Sequence, residues 1–302
     1  MAVDAQKVEG LKQRMAEFIH QLQDEICGAL ERLDGAGRFR EDAWQRPGGG
    51  GGRSRVLEDG AVLEKAGVNT SVVHGELEEA FAKRLQGEGR QFWAGGLSLV
   101  LHPRNPFVPT VHANWRFIHQ GGKAWFGGGT DLTPYYLFEE DAVHFHRTQK
   151  AACDKHDPAY YPRFKAACDK YFHLRHRDEA RGVGGIFFED IGGDLEREFE
   201  FVKDAGLSFL PSYLPIAERR KDTPYTEAHR FWQEVRRGRY VEFNLVYDRG
   251  TIFGLETKGR TESILMSLPP QVRWRYEYHP EPGTPEAKLV EALRNPRDWA
   301  SG

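Results

Sequence analysis

Trp125-Phe126-Gly127-Gly128-Gly129-Thr130-Asp131-Leu132-Thr133-Pro134-Tyr135-Tyr136 sets a single carboxylate between large aromatics, directly after three consecutive glycines. Glycine lets a backbone take positive φ and approach a ligand closely. Taken alone the stretch reads equally as a glycine turn with a turn-type Asp. The segment just upstream, His112-Ala113-Asn114-Trp115-Arg116-Phe117, shifts that balance. Its His, Asn and Arg occupy alternate positions, and alternation by two places all three on one face of a strand. A face carrying those residues lines a site more readily than a core. The two segments predict a hairpin that brings Arg116 near Asp131.

Working outward, short strand-like runs at Ala61–Leu63, Leu97–His102, Val108–Ile118 and Lys123–Phe126 are separated by Gly, Pro and Asn turns. That spacing favours antiparallel pairing over βαβ crossovers. Val8, Leu11, Met15, Phe18, Ile19, Leu22, Ile26 and Leu30 recur at spacings of three and four, so residues 1–35 carry an amphipathic N-terminal helix. Helices are also predicted at Glu139–Lys155, Pro162–Arg175, Asp194–Ala205, Ser208–Arg220, Thr226–Arg236 and Pro285–Leu293. Tyr240–Tyr247 reads as a strand paired with Thr251–Leu255 across Asp248-Arg249-Gly250, and Arg273–Tyr278 as a last alternating strand. Arg46–Arg55, with its five glycines, reads either as a linker or as a loop whose Arg53 and Arg55 close over an anion. Strands in the middle and helices on the flanks give the α+β class. Gly182–Asp190 lacks the G-x-G-x-x-G order of a dinucleotide loop, which excludes a Rossmann reading.

The 302 residues are 39% hydrophobic and no sharp linker divides them, so one domain over 1–302 is expected. Against 45 acidic residues stand 42 Lys and Arg, a net charge of −3 that disfavours a general nucleic-acid surface. Any anionic ligand must then be met by placed arginines, and Arg116, Arg177, Arg181, Arg249 and Arg260 all sit beside glycine turns or strand ends. Three cysteines without a C-x-x-C pair argue against a disulfide framework and for a reducing compartment. No apolar run reaches the roughly 20 residues needed to span a bilayer, and no signal-peptide core is present, so a cytoplasmic location is expected. His102, His112, His146 and His176 admit a divalent metal, but their spacing matches no diagnostic pattern; histidines hydrogen-bonded in a polar cleft is the plainer reading.

Long strings such as Gly238-Arg-Tyr-Val-Glu-Phe-Asn-Leu-Val-Tyr-Asp-Arg-Gly-Thr251, with Glu64–Asn69, Trp125–Tyr136, Gly182–Phe188 and Pro296–Trp299, resemble the oxygen-dependent coproporphyrinogen III oxidase family over nearly the whole chain. The resemblance implies a large, flat antiparallel sheet covered by helices on both faces and a homodimer; residues 240–276, read as two paired strands with exposed aromatic and branched residues, are the expected dimerisation region, because a patch this apolar should not remain in water. It implies oxidative decarboxylation of two propionates of coproporphyrinogen III to vinyl groups by dioxygen, giving protoporphyrinogen IX without haem, flavin or nicotinamide. Substrate contacts fall on Ser98, Asn114, Trp115, Arg116, Lys258, Gly259 and Arg260. His112 is implied as a proton donor, Asp131 as the acid that engages the pyrrole nitrogens, and Arg116 as the group holding the reacting propionate. Bacterial members assign His102, His112, His146 and His176 to a divalent metal such as manganese, whereas eukaryotic members are described as working without one. One departure is Phe188-Glu189-Asp190, where two aspartates are expected. A non-catalytic tetrapyrrole carrier would use the same arginines and glycines, but it has no use for an acid/base pair at the ring centre.

Overall fold

The computed structural model describes residues 5–83, 85–257 and 259–301. It opens with helix α1 (Ala5–Asp34), whose Val8, Leu11, Met15, Phe18, Ile19, Leu22, Ile26 and Leu30 are all buried along one stripe, as the spacing predicts. Strands β1 (Arg40–Gln45), β2 (Gly50–Glu58) and β3 (Leu63–Glu76) follow, then a single turn α2 (Glu79–Ala82) and the long strands β4 (Gln91–Pro103), β5 (Thr110–Gln120) and β6 (Lys123–Thr133). Helices α3 (Glu139–Asp154) and α4 (Tyr160–Tyr171) lead through a small ribbon, β7 (His173–Leu174) with β8 (Glu179–Ala180), to β9 (Gly184–Ile191). The remainder is helical: α5 (Leu195–Leu207), α6 (Phe209–Arg220), α7 (Glu227–Val246), α8 (Arg249–Glu256), α9 (Thr261–Leu265) and α10 (Pro285–Arg294).

The main sheet has seven strands in the order β1-β2-β3-β4-β5-β6-β9, and every neighbouring pair is antiparallel. Successive side chains point to opposite faces, so the two faces differ in character. One carries Val68, Leu97, Leu99, Ala113, Trp115, Phe117, Phe126 and Leu132, which join α1, α5 and α6 in the principal core. Gln23 of α1 fastens that helix to the sheet by donating to the carbonyls of Val68 at 2.7 Å and Arg53 at 2.9 Å. The other face bears His102, His112, Asn114, Arg116 and Asp131. It is covered only in part: the Tyr240 ring of α7 packs edge-on against His102, and Met266 after α9 lies over Gly67. A second, smaller apolar cluster, including Cys168, Phe172, Phe187 and Phe243, closes the β9 end of that face.

The α+β class and the antiparallel sheet with helices on both faces match expectation; several local readings do not. Tyr240–Tyr247 is no strand, since residues 240–246 finish α7. Its alternation of apolar and polar residues coincides with a helical stripe, because Trp232, Val235, Tyr240 and Phe243 are buried at spacings of three, five and three along a helix that Thr226 starts with a capping box. Asp248 is not a hairpin turn residue but the N-cap of α8, accepting from the Thr251 amide at 2.7 Å, so Thr251–Leu255 is helical as well. Asp serves turns and N-caps equally, and the local sequence does not separate them. Residues 273–278 form no strand. The glycine-rich 46–55 stretch is neither linker nor lid: it turns through Gly49 and Gly50 at positive φ and continues as β2. Arg53 and Arg55 point away from the cleft face and pair with Asp24 at 3.3 and 2.7 Å.

Candidate active site

The antiparallel register lines up residues across the cleft face. One row runs Asp42, Ser54, Asn69, Ser98, Asn114, Gly129 from β1 to β6. The next runs Gly67, Val100, His112, Asp131, Gly185, and a third runs Ser71, Gly96, Arg116, Gly127. Small and polar side chains thus floor the middle of a sheet where branched apolar residues would be expected. Ser98, on the fourth of seven strands, is exposed, so the floor is open to solvent. Gly127 leaves room for the Arg116 guanidinium that lies across it: a Cβ there would stand 3.1 Å from Nε and push that side chain aside.

The hairpin of β5 and β6 forms as predicted, but the residue opposite Asp131 is His112, and Arg116 stands opposite Gly127. His112 Nδ1 lies 2.8 Å from Asp131 Oδ1, and Arg181 donates to Oδ2 at 2.7 Å. Asp131 is 1% exposed. Burial pushes its carboxyl up, but the Arg181 guanidinium and then His112 outweigh burial and hold it below the usual carboxylate range. Each Asp131 oxygen thus already accepts one bond within the protein, and the carboxylate is buried at the closed end of the cleft face. His112, beside it, is the group that faces the cleft.

Arg116 donates to Asn114 Oδ1 at 3.2 Å, and Asn114 Nδ2 lies 3.4 Å from His112 Nε2. Arginine can only donate, which fixes the Asn114 amide with its oxygen toward Arg116 and its NH₂ toward His112. A carboxylate can only accept, so the proton of neutral His112 sits on Nδ1. Nε2 then carries the lone pair, met at 3.4 Å by the Asn114 NH₂.

Both predicted propionate arginines already meet carboxylates. Arg116 pairs with Glu189 at 3.1 Å, and the other oxygen of Glu189 takes Arg249 at 2.7 Å. Arg260 pairs with Asp42 and reaches Ser263 Oγ at 3.2 Å and Ser54 Oγ at 3.5 Å, so it stands at the β1–β2 end of the floor. Ser54 and Asn114 are three strand spacings apart, roughly 14 Å. Gly259 bonds back to the Gly254 carbonyl at 2.8 Å beside Arg260, while Lys258 lies outside the described residues.

Trp115 is corrected. Its side chain is fully buried on the opposite face, edge-on to Phe209, because it falls between Asn114 and Arg116 in the alternation. The four histidines are not brought together either. His102 is bonded to Thr110 Oγ1 and the Ser267 carbonyl, His146 to Tyr161 and the Val183 carbonyl, and His176 to Tyr247 and Glu242. Among the described residues no group of three or more His, Cys, Asp or Glu side chains could hold a metal ion. The proposed four-histidine metal set does not fit, since each outlying ring uses both nitrogens to tie separate elements together.

Sequence reasoning passed over Asn244, which accepts from Arg181 at 2.8 Å, and the Ser54–Asn69 part of the floor. Once β2 and β3 are read as strands, their polar alternate positions give the second of these away.

A model of the coproporphyrinogen III oxidase family matches residues 14–299. The chain is 52% identical to "Coproporphyrinogen-III oxidase 1, chloroplastic" of Arabidopsis thaliana, over 96% of this chain and 79% of that protein. It is 51% identical to the "Oxygen-dependent coproporphyrinogen-III oxidase, chloroplastic" of Glycine max, over 98% of this chain and 81% of the relative. Against the Nicotiana tabacum protein of the same name the identity is 54%, over 95% and 77%. These names overturn the cytoplasmic location expected from the sequence, for all three relatives are chloroplastic. Lack of a spanning helix, which holds for the described residues, does not tell one aqueous compartment from another. With the family match running from residue 14 to residue 299 and three relatives above half identity, the chain belongs to the coproporphyrinogen III oxidase family.

Proposed function

We infer that the cleft face catalyses the family's reaction, the oxygen-dependent oxidative decarboxylation of two propionates of coproporphyrinogen III to vinyl groups in haem biosynthesis. The observation that carries the residue assignments is the open, glycine- and serine-lined middle of the sheet, with Arg116 and His112 at one end and Arg260 at the other. A span of roughly 14 Å suits a flexible tetrapyrrole laid flat. Its propionates exchange for the carboxylates already on Arg116 and Arg260. These ion pairs are partly exposed and worth about 0–1 kcal/mol each, so the exchange costs little. Ser98 and Asn114 then meet the macrocycle from below, with Gly259 at the Arg260 end.

Each round converts a propionate side chain, one dioxygen and one proton into a vinyl group, carbon dioxide and hydrogen peroxide. The two electrons come from the propionate, whose β C–H bond and carbon–carboxylate bond break as the vinyl double bond forms, and the electron-rich pyrrole relays them to dioxygen, so the balance closes without haem, flavin or nicotinamide. His112 Nε2 takes a proton from the substrate and returns one as peroxide leaves, while Asp131 stabilises the imidazolium between the two events. Arg116 holds the reacting carboxylate until carbon dioxide departs. No step is routed through a metal.

Association of two copies through residues 240–276 fits the same reading. Leu245, Val246, Leu255, Trp274 and Tyr276 are exposed there, and Tyr276 is 92% accessible. The test of the function is vinyl product from coproporphyrinogen III under air. Product without oxygen, or none with it, overturns the assignment.

A further inference from the structure

Arg181 is a buried cation in a place where a cation is expensive. Its side chain is 2% exposed, and its guanidinium carbon lies 4.1 Å from the ring centre of Phe172, 4.5 Å from that of Tyr240 and 4.9 Å from that of Phe243. One Nη donates to Asp131 and the other to Asn244 Oδ1, while Nε has no partner among the described residues. An orphaned N–H on a buried guanidinium is not what a stability element selects. A hydrophobic pair at positions 131 and 181 would hold this part of the fold at least as well. Arg181 is therefore kept for what it does to Asp131.

The hydrogen-bond chain shows what that is. From one end, Arg116 donates to Asn114, Asn114 to His112 Nε2, and His112 Nδ1–H to Asp131. From the other end Arg181 donates to the same carboxylate. Arginines close both ends and neither can accept, so every bond between them has one allowed direction and all of them converge on Asp131. Phe172 touches both partners, edge-on to His112 with ring centres 5.9 Å apart and beneath the Arg181 guanidinium, so the imidazole and the guanidinium share one wall.

We propose that Arg181 is a positioning residue: by holding Asp131 Oδ2 it turns Oδ1 toward His112 Nδ1 and so sets the ring with its proton on Nδ1 and its Nε2 lone pair toward the Asn114 amide and the cleft, where substrate displaces that long 3.4 Å contact. The proposal rests on the assignment of His112 as the acid/base group of this site. Arg181 is buried among Phe172, Tyr240 and Phe243 at the closed, β9 end of the cleft face, away from the open middle around Ser98, so its loss acts on turnover more than on binding.

The test joins kinetics with ¹⁵N NMR of histidine-labelled protein. In the wild type the His112 ring nitrogens are expected to report the Nδ1–H tautomer. That readout needs no turnover, so it stands even if the assigned reaction fails in the assay under air. Arg181→Met is expected to lower kcat roughly 10²-fold, the low end of what acid/base catalysis contributes, with KM unchanged within about threefold. Its His112 signal should move to a tautomer mixture. Because the variant leaves Asp131 buried alone, Asn244→Leu is the second probe. It frees one Nη of Arg181 without stranding a charge, and is expected to give a smaller fall in kcat with the same tautomer mixing. A wild-type Nε2–H tautomer overturns the proposal. So does wild-type kcat in folded Arg181→Met, or, if that variant does not fold, wild-type kcat and an unmixed tautomer in Asn244→Leu.

Discussion

Asp131→Asn removes one charge from a pair in which the carboxylate is 1% exposed and the Arg181 side chain 2% exposed, at a contact of 2.7 Å. The guanidinium would then rest on Asn244, the neutral amide oxygen of the substituted side chain and three aromatic faces. Stranding one partner of a buried ion pair costs about 3–5 kcal/mol, and the retained acceptor places this case near 3. At roughly 2–4 °C per kcal/mol for a chain of this size class, the melting point should fall by about 6–12 °C. The sign against pH follows from the direction of the shift. Asp131 is held below its ordinary value in the folded protein, so its contribution is complete above the ordinary carboxylate range and disappears only as pH falls through the depressed value. Urea titration at pH 7 therefore measures all of it. Turnover should fall by roughly 10² or more, since His112 loses the charge that stabilises its protonated form. Asp131→Asn combined with Arg181→Met should recover most of the stability and none of the turnover, because no charge is then buried alone. A folded Asp131→Asn variant with wild-type denaturation midpoint and wild-type kcat would refute the reasoning at both levels.

Arg116→Lys and Arg260→Lys keep the charge but lose the two-pronged grip on a carboxylate; each should raise KM about tenfold with the melting point within a degree or two, read by steady-state kinetics and calorimetry. Sedimentation velocity at micromolar concentration should give a dimer, and Tyr276→Glu should shift it toward monomer; a wild-type monomer removes the proposed interface. His146 is fully buried, and burial together with Lys165 lowers it to about 3, so the unfolded chain takes up a proton there that the folded one refuses. Stability should then decline from about pH 6.5 downward, by up to about 1.4 kcal/mol per pH unit from this residue, and His146→Gln should flatten that slope in urea titrations at stepped pH.

Helix α1 and the β5–β6 hairpin are legible because period and turn chemistry agree there: the α1 stripe has no competing reading, and His112, Asn114 and Arg116 alternate as a strand must. Tyr240–Tyr247 misled because aromatic and branched residues fit a strand locally, while its helix is decided by packing of Tyr240 and Phe243 against residues distant in sequence. The four histidines looked like one set because imidazole has many uses. Only three-dimensional placement shows that His102 holds the Ser267 segment to the sheet and His146 holds α4 to the chain before β9. Trp115 enters only through the family resemblance, and the alternation that puts Asn114 and Arg116 on one face of β5 already puts its side chain on the other. The Asp131–Arg181 contact joins residues 50 apart, and no local pattern encodes it.

The uncovered middle of the sheet makes the ligand a structural component. One sheet face is covered by α1, α5 and α6, but in the middle of the other Ser98 is exposed and Gly96 half-buried, and the flexible tetrapyrrole proposed to lie there would cover them. The unliganded enzyme is in this sense an unfinished sandwich, and its stability tracks supply. At a substrate concentration 100 times the dissociation constant, mass action adds about 2.7 kcal/mol to the folded state. A cell short of the tetrapyrrole precursor would thus hold a less durable population of this protein than a cell well supplied with it, and the amount of enzyme would follow the supply of its substrate.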